Sequence, residues 1–411
     1  MKKQIVFVEH FFHIPSFKIA KKLRFSGKYE TVLISMKKID SQTEKFLKEA
    51  YDKIIIFELA DMRKLTFSNY WRILKLLFGE KGKIFREELK KLNPYIIQIT
   101  SPDIHTFFFK YVFRKYPRVY FAHDIFKPYY NKLSLKKNSG RSLILNKIFE
   151  KSLFKSVDGV LYKAPENILE KLQIKNKGSS MQYLSGCLDE WIINKREKYS
   201  DVDNELHLVY AGRPWIEWEG HKSFLEMIEK ITKQKIHFDI YTPPFRDDDK
   251  KIFDELTSKN KYFHFHNELK GKELNKELSR FDYGIALDFT DNKIVSDEFM
   301  DIALATKVFA YIESGIPTLV SNNLKFTLEV AGETGIGIKY EELDTIKSFL
   351  KKKNISKQNI IKQQNFYNIN KVIPKIISFY DKVNNEFYKN KINLPISNSD
   401  FYSKYLTYLT D

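Results

Sequence analysis

The stretch KVFAYIESGIPTLVS, from Lys307 to Ser321, places a helical segment directly before a strand. Lys307 to Ser314 has the composition of a short helix, and Gly315 can take the left-handed conformation in which helices commonly end. Pro317 then precedes a run rich in β-branched residues, which favours a strand. A helix that leads through a tight turn into a buried strand is typical of α/β proteins with parallel sheets.

The same alternation of short apolar runs and longer helical stretches extends along the whole chain. In the first half, strands are predicted at 4–9, 31–35, 53–58, 95–100, 118–122, 159–162 and 181–184. In the second half, they are predicted at 206–211, 237–241, 262–266, 283–287, 317–320 and 336–339. Apolar runs of this length, separated by helices, predict two doubly wound parallel sheets with right-handed crossovers.

A polar stretch between the two series divides the chain into domains. We predict a first domain over 1–193, a linker over 194–204, a second domain over 205–364, and a C-terminal helix and tail over 365–411. A chain of 411 residues is long enough for two such domains. Ligands of doubly wound domains bind at the carboxyl ends of the strands, so the site is expected in the cleft between the two domains.

Composition narrows the classes of function. The 70 Lys and Arg against 52 Asp and Glu give a formal charge of +18, which predicts attraction to polyanions. None of the short nucleic-acid-binding signatures is present, and a nucleic-acid partner is not expected. The single cysteine, Cys187, excludes an intramolecular disulfide and a cysteine-rich zinc site. With no signal peptide and no apolar run long enough for a membrane span, a cytoplasmic protein is expected.

Four segments carry a resemblance to a known family. They are YAGRPWIEWEGHKSFLEMI (210–228), ATKVFAYIESGIPTLVS (305–321), VYFAHDIFKPYY (119–130) and YLSGCLDEWI (183–192). In this order and spacing they resemble the GT-B glycosyltransferases, most closely the family 4 group. The resemblance implies the GT-B fold, in which two Rossmann-like domains face each other across a cleft. The first domain would bind the acceptor and the second a nucleotide sugar.

On the donor side, Gly212 and Arg213 follow a predicted strand, where the backbone can approach a diphosphate and a guanidinium can bind it in bidentate fashion. Thr306 and Lys307 open the helix of the first quoted stretch, so free N–H groups and a lysine would face the same diphosphate. The resemblance assigns Arg213 and Lys307 to leaving-group stabilisation. Donor binding is also assigned to Glu268, Leu269 and Glu313.

Two positions depart from the family pattern. Family members carry an acid at the position of Ala310, where it accepts hydrogen bonds from the ribose, and they carry Lys-Gly where this chain has Glu219-Gly220. Three explanations for the alanine at position 310 remain open. Another acid, Glu313, Asp297 or Glu298, binds the ribose; the backbone alone holds the ribose; or the protein has lost catalysis. We favour a neighbouring acid, because Arg213 and Lys307 are both present.

The acceptor side is predicted from the first domain. His123 and Asp124 directly follow a predicted strand, where a neutral histidine could bind the sugar or an acceptor hydroxyl, and Asp124 could orient it. A histidine tied to the backbone at a strand end is the alternative. In the loop HFFHIPS after the first strand, His10, His13 and Ser16 are candidate acceptor contacts, and Ser16 is also a candidate helix N-cap.

The resemblance implies metal-independent transfer with retention of anomeric configuration, and no cofactor beyond the nucleotide sugar. The acidic run RDDDKK (246–251) is interpreted as the start of a helix rather than a metal site. Segments 69–91, 107–118 and 131–155 interleave aromatic with basic residues, as in helices that rest on anionic lipid, although solvated core helices have the same pattern. We predict a glycosyltransferase acting on a glycan or lipid-linked acceptor, or alternatively a degenerate GT-B protein that binds nucleotide or glycan without turnover.

Overall fold

The computed structural model describes residues 2–10, 12–57, 79–100, 113–128, 140–193, 196–212, 221–243, 247–288, 296–353 and 355–392. It contains two parallel sheets, of seven and six strands. The strands of the first sheet are β1 (Lys3–Glu9), β2 (Tyr29–Ser35), β3 (Lys53–Ile56), β4 (Pro94–Thr100), β5 (Arg118–Ala122), β6 (Gly159–Tyr162) and β7 (Ser179–Gln182). Those of the second are β8 (Leu206–Ala211), β9 (Ile236–Thr242), β10 (Phe263–Asn267), β11 (Tyr283–Ala286), β12 (Thr318–Ser321) and β13 (Gly335–Ile338).

Helices connect the strands. They are α1 (Ile14–Phe25), α2 (Ser41–Leu47), α3 (Glu80–Lys90), α4 (Gly140–Ser156), α5 (Ile168–Lys171), α6 (Ser200–Asp203), α7 (His221–Thr232), α8 (Asp247–Lys259), α9 (Gly271–Leu278), α10 (Asp297–Ile302), α11 (Lys307–Ser314), α12 (Lys325–Ala331), α13 (Ile346–Lys351), α14 (Lys357–Phe366) and α15 (Ile369–Ile392). The acidic run after residue 246 opens α8, as the sequence predicts.

Both sheets are doubly wound. Their strand orders are β3-β2-β1-β4-β5-β6-β7 and β10-β9-β8-β11-β12-β13, and every pairing is parallel. Each predicted strand is present, with both ends within two residues of the predicted position. In each sheet the order reverses next to the first strand, between β1 and β4 and between β8 and β11, and that is where such sheets bind ligands.

The central strands are buried on both faces, which explains their continuous apolar sequence. In β1, Ile5 and Phe7 belong to one core layer, whereas Val6 and Val8 belong to the layer on the other face. Strand β8 repeats the pattern, with Leu208 in one layer and Val209 in the opposite one.

The C-terminal segment, predicted to begin with a helix at residue 365, forms the end of α14 and then α15. The break between these helices lies where Cys187 pairs with the chain: its N–H donates to Tyr367 O at 2.8 Å, and its carbonyl accepts from Ile369 N at 3.0 Å. Helix α15 then packs on the first sheet, where the Tyr380 hydroxyl donates to Gln98 Oε1 at 2.6 Å. The last helix of the chain therefore completes the core of the first half.

Parts of the basic, aromatic-rich segments considered for a membrane surface, residues 69–78, 107–112 and 131–139, lie outside the described residues. Among the helices that the structure does describe, none combines the length and apolar character that crossing a bilayer requires.

Candidate active site

A cavity of about 460 Å³ lies between the two sheets, at the carboxyl ends of their strands. Residues that follow β5 and β6 line one side, and residues that follow β8, β10 and β11 line the other, together with the start of α11. The predicted site residues in its wall are His123, Asp124, Gly212, Glu268, Leu269, Thr306, Lys307 and Glu313. The structure therefore brings together residues predicted for both sides of the cleft.

Lys307 is the first residue of α11, and its side chain lies in the cavity wall. Its ammonium lies 3.3 Å from the centroid of the Tyr210 ring, and it makes no ion pair with a described residue. Burial lowers the pKa of Lys307 to about 7, although the charge of Asp288 acts in the opposite direction. An under-compensated cation beside a helix N-terminus is suited to binding an anion.

Gly212 directly follows β8 and lies close to this lysine. Its φ of +117° is a backbone conformation that residues other than glycine rarely adopt, and its N–H donates to Tyr241 O at 2.8 Å. A Cβ on Gly212 would lie 3.9 Å from both Cε and Nζ of Lys307, so this backbone turn is adjacent to the ammonium. The predicted proximity of the Gly turn and the α11 lysine is thus observed.

Tyr311 fixes α11 to the second sheet. Its hydroxyl accepts from Ala211 N at 3.0 Å and donates to Ile285 O at 2.9 Å, and thus bridges β8 and β11 where the strand order reverses. Gly284 makes room for the ring, because a Cβ there would overlap the Tyr311 side chain. Helix α11 cannot slide along the sheet without breaking these contacts, so Lys307 keeps its place.

The helix end also forms as the first quoted stretch predicts. Gly315 has φ 74°, its N–H donates to Ile312 O at 3.1 Å, and Ile316 N donates to Tyr311 O at 3.1 Å.

His123 and Asp124 follow β5 directly and form a small charged group with Lys163. The distance from His123 Nδ1 to Asp124 Oδ2 is 3.7 Å, and that from Lys163 Nζ to Asp124 Oδ1 is 3.6 Å. Burial and the nearby ammonium lower the pKa of His123, which favours its neutral form. Burial raises the pKa of Asp124, but Lys163 and His123 outweigh it and hold that pKa well below its usual range.

Lys163 also links the two halves of the chain. Its ammonium donates to Leu304 O at 2.8 Å, and Leu304 precedes α11 in the second half. Burial lowers the pKa of Lys163, although Asp124 acts against this shift. Sequence reasoning missed Lys163, although it directly follows the predicted strand 159–162, just as His123 follows its own strand.

The loop after β1 lies next to this group. The His13 ring centroid lies 4.7 Å from that of His123, and His13 N donates to Glu9 Oε2 at 3.2 Å. Burial raises the pKa of Glu9 to about 8. His10 is described but does not line the cavity.

The prediction that Ser16 is an N-cap is wrong. The N-cap of α1 is His13, so Ser16 is the third residue of the helix, with Pro15 before it. Ser16 is fully buried and accepts from Gln98 Nε2 at 3.2 Å, so its hydroxyl contacts the protein interior. The helix begins at Ile14, before the proline, because the first helical turn tolerates proline: N–H groups there have no partner within the helix.

Glu313 lies in the cavity wall, but its carboxylate already has three donors. Lys18 Nζ and Leu188 N donate to Oε1, both at 2.7 Å, and Asn275 Nδ2 donates to Oε2 at 3.0 Å. Ala310 faces the cavity one turn earlier. The other two acids considered as substitutes, Asp297 and Glu298, are exposed on α10 and do not line the cavity.

Several predicted features lie outside the described residues. They are Arg213 and the pair Glu219-Gly220. Glu268, in the cavity wall, is paired with Lys270 at 3.2 Å, directly before α9.

In the part of the chain that the structure describes, the cavity wall contains no three carboxylates or imidazoles close enough to share a metal ion.

No protein-family model matches the chain, and no curated protein matches it in sequence. Solved structures do match over almost the whole length. Sucrose-phosphate synthase from Thermosynechococcus elongatus is 12% identical with a TM-score of 0.66, and the match covers 93% of this chain and 99% of that one. HepE from Anabaena in complex with UDP-glucose is 11% identical with a TM-score of 0.62, over 91% of this chain and 98% of that one.

UDP-GlcNAc 2-epimerase from Neisseria meningitidis, bound to UDP-GlcNAc, is 11% identical with a TM-score of 0.56, and the match covers 92% of this chain and 99% of that one. At such low identity these matches concern the fold. The chain therefore has the predicted GT-B fold, with two doubly wound domains facing each other across a cleft.

Proposed function

We propose that the protein transfers a sugar from a UDP-sugar to a glycan or lipid-linked acceptor. The observation that carries this proposal is the position of Lys307. Its ammonium lies at the start of α11, beside the backbone turn at Gly212, in a cavity between two doubly wound sheets. HepE is solved in complex with UDP-glucose, and another structure of similar fold, the pneumococcal O-GlcNAc transferase GtfA, is solved in complex with UDP and GlcNAc. These likenesses support a uridine nucleotide as the donor.

The donor diphosphate would bind between Gly212 and the first turn of α11. Breaking the bond between the sugar and the diphosphate leaves an additional negative charge on the diphosphate. The ammonium of Lys307 and the free N–H groups of the helix would stabilise that charge. Because Tyr311 fixes the helix, these groups are already oriented before the bond breaks. We assign the same role to Arg213, on the strength of its place in the sequence.

The acceptor hydroxyl would approach from the first half of the chain, beside His123. A neutral imidazole can accept a hydrogen bond from that hydroxyl. The charged side chains of Asp124 and Lys163 lie next to the imidazole and determine the electrostatic potential at the site. We propose that transfer is metal-independent, because the positive charge needed by the diphosphate comes from side chains and a helix end. Retention of anomeric configuration is proposed on the family resemblance.

The first experiment measures UDP binding by calorimetry and UDP release from a panel of UDP-sugars. The matched variants are Lys307→Met and Lys325→Met; Lys325 pairs with Asp301 at an exposed site outside the cavity wall. We expect Lys307→Met to lower turnover by about 10²-fold, the scale of removing one charge-stabilising group from a dry site. Unchanged turnover in Lys307→Met would refute this assignment.

Metal independence is tested with EDTA, followed by added Mg²⁺ or Mn²⁺. We expect EDTA to leave the initial rate unchanged and neither ion to raise it. Loss of activity that Mg²⁺ or Mn²⁺ restores would contradict the proposed leaving-group mechanism. The sugar linkage formed in the same reaction, examined by NMR, tests retention.

A protein that binds nucleotide without turnover is the second candidate, and Ala310 favours it. The cavity wall has alanine at the helix position that would reach the ribose, and Glu313 is occupied by other contacts. UDP binding without release of UDP from any sugar donor, in the presence of lipid-linked acceptors, would favour this candidate over transfer.

We also propose peripheral contact with an anionic membrane surface. The formal charge of +18 supports it, because a basic protein is attracted to anionic headgroups. Co-sedimentation with vesicles that contain anionic lipid, but not with neutral vesicles, is the expected result. Equal co-sedimentation with both would contradict it.

A further inference from the structure

A row of histidines crosses the second sheet at the edge opposite the cavity. His207, His237 and His264 are the second residues of β8, β9 and β10, respectively. Their rings stack, with centroids 4.3 Å apart for His207 and His237 and 5.2 Å apart for His237 and His264. Because the strands are parallel, this row lies at their amino-terminal ends, about 13 Å along β8 from the cavity.

Two carboxylates face these rings. Asp203 Oδ2 lies 2.8 Å from His207 Nε2 and 3.8 Å from His237 Nε2, while Glu205 Oε2 lies 2.9 Å from His237 Nε2. The ligand atoms of Asp203, His207 and His237 all lie within 4.8 Å of one another. Ligands held about 2.0 to 2.2 Å from a tetrahedral zinc ion are roughly 3.3 Å apart, so small side-chain shifts would suffice to enclose one.

Neighbouring groups form hydrogen bonds to the atoms of His237 and Asp203 that would not face the ion, as is common in metal sites. His264 Nε2 lies 2.8 Å from His237 Nδ1. A neutral His264 can accept a hydrogen bond from Nδ1–H of His237, which leaves the lone pair on His237 Nε2 directed at Asp203 and Glu205. Asp203 is oriented through its other oxygen, which accepts from Glu205 N at 2.9 Å.

We propose that Asp203, His207 and His237 bind a zinc ion, with Glu205 as a fourth ligand. Two imidazoles and two carboxylates form a nitrogen and oxygen set that suits Zn²⁺, and the two carboxylates match its charge. The Asp203 side chain is 39% exposed, which gives an ion access, whereas His207 is buried and held by its neighbours. The ion would fasten α6, which precedes the second sheet, to β8 and β9.

The sequence gives little sign of this cluster. The two histidine ligands are thirty positions apart on different strands, and they meet only because β8 and β9 pair with His207 opposite His237. The cluster lies outside the cavity and is independent of the proposed transfer reaction.

The test is a zinc titration of the full-length chain without a histidine tag, after metal removal, with bound zinc counted by elemental analysis. We expect one equivalent in the wild type and loss of that equivalent in His207→Ala and His237→Ala. His264→Phe removes a supporting hydrogen-bond partner and should weaken binding about 10- to 100-fold. His266→Gln is the matched control, because His266 lies on the same strand as His264 but pairs with Asp239 at 2.6 Å.

Asp203→Asn keeps the experiment decisive if the histidine variants do not fold. Its side chain is partly exposed, so folding should persist while zinc binding is lost and the rise of Tm with zinc disappears. Absence of zinc binding in the wild type, or one equivalent retained in Asp203→Asn and in the histidine variants, would overturn the proposal.

Asp203→Asn also distinguishes an effect of EDTA on this zinc site from an effect of EDTA on the proposed transfer reaction. Asp203→Asn has no zinc of this kind to lose, so any effect of EDTA on its turnover would concern the cavity alone.

Discussion

At the scale of single residues, the candidate site depends on a buried lysine, Lys307, that forms no ion pair with any residue in the described part of the chain. Lys307 has a pKa of about 7 because burial disfavours its ammonium. A bound diphosphate would stabilise the ammonium and raise this pKa. Binding above pH 7 therefore requires uptake of a proton.

The first prediction follows from this coupling. UDP affinity should be greatest below pH 7 and should fall as the pH rises above 7, by up to about tenfold per pH unit. Calorimetry from pH 6 to 9, in buffers of different ionisation enthalpy, measures both the affinity and the proton uptake. Lys307→Arg keeps its charge across this range and should remove most of the pH dependence. An equal slope in Lys307→Arg would assign the proton to another group.

The second prediction concerns Ala310. Because the three donors to Glu313 occupy its carboxylate and Asp297 and Glu298 lie away from the cavity, we expect none of these three acids to replace the missing one. Ala310→Glu should then add a ribose contact and tighten UDP binding by about 1 to 2 kcal/mol, or roughly tenfold. This outcome is the opposite of what the sequence favoured. Ala310→Gln, which cannot supply a charge, is the control, and unchanged affinity in Ala310→Glu would count against the argument.

At the scale of elements, α11 and its sheet form one unit through Tyr311 and Gly284. Neither contact could be read from the sequence, because each depends on which strand lies below the helix. The helix start at Lys307 and its end at Gly315 were predicted from local signals, and both are confirmed. Local patterns thus located the helix, and tertiary packing determined how it is fixed.

The third prediction tests that unit. Gly284→Ala would place a methyl group in the space of the Tyr311 ring, and should lower the free energy of unfolding by about 1 to 3 kcal/mol. Denaturant unfolding of Gly284→Ala, Tyr311→Leu and the double variant measures the coupling between the two positions. We expect the double variant to be less destabilised than the sum of the single variants. Additive effects would show that the alanine acts elsewhere.

The same division between local and tertiary information holds for the rest of the fold. Strand positions were predicted because parallel strands buried on both faces are continuous apolar runs. Strand ends then indicated His123, Asp124 and Gly212, all of which line the cavity. The contact of Lys163 with Leu304 was not predicted, since it joins residues far apart in sequence. The start of α1 was misplaced because serine and proline are compatible with more than one helix position.

At the scale of the whole molecule, a buried ion pair joins the two halves. Lys18 on α1 and Glu313 on α11 are separated by 2.7 Å, and each side chain is 1% exposed. Lys18 also donates to Gly186 O at 2.7 Å, and Glu313 accepts from Leu188 N, so the segment that leaves the first sheet is held between them. Such a pair fixes the position of one half relative to the other.

The fourth prediction is that Lys18→Met alone is costly. It leaves the Glu313 carboxylate buried without its cation, and should lower the free energy of unfolding by about 3 to 5 kcal/mol. The double variant Lys18→Met with Glu313→Gln removes both charges and should recover much of that loss. Denaturant midpoints of the two single variants and the double variant supply the measurement. A double variant as unstable as the sum of the single variants would contradict the pairing argument.

The return of α15 to the first sheet has a consequence for how the chain is made. The first half lacks part of its core until Ile373, Phe379 and Val383 have left the ribosome. At about 5 to 20 residues per second, the intervening second half takes roughly 10 to 40 s to synthesise. During that interval the apolar face that α15 later covers is open to solvent or to chaperones. The second half, which lies between two parts of one core, can fold first although it is translated later.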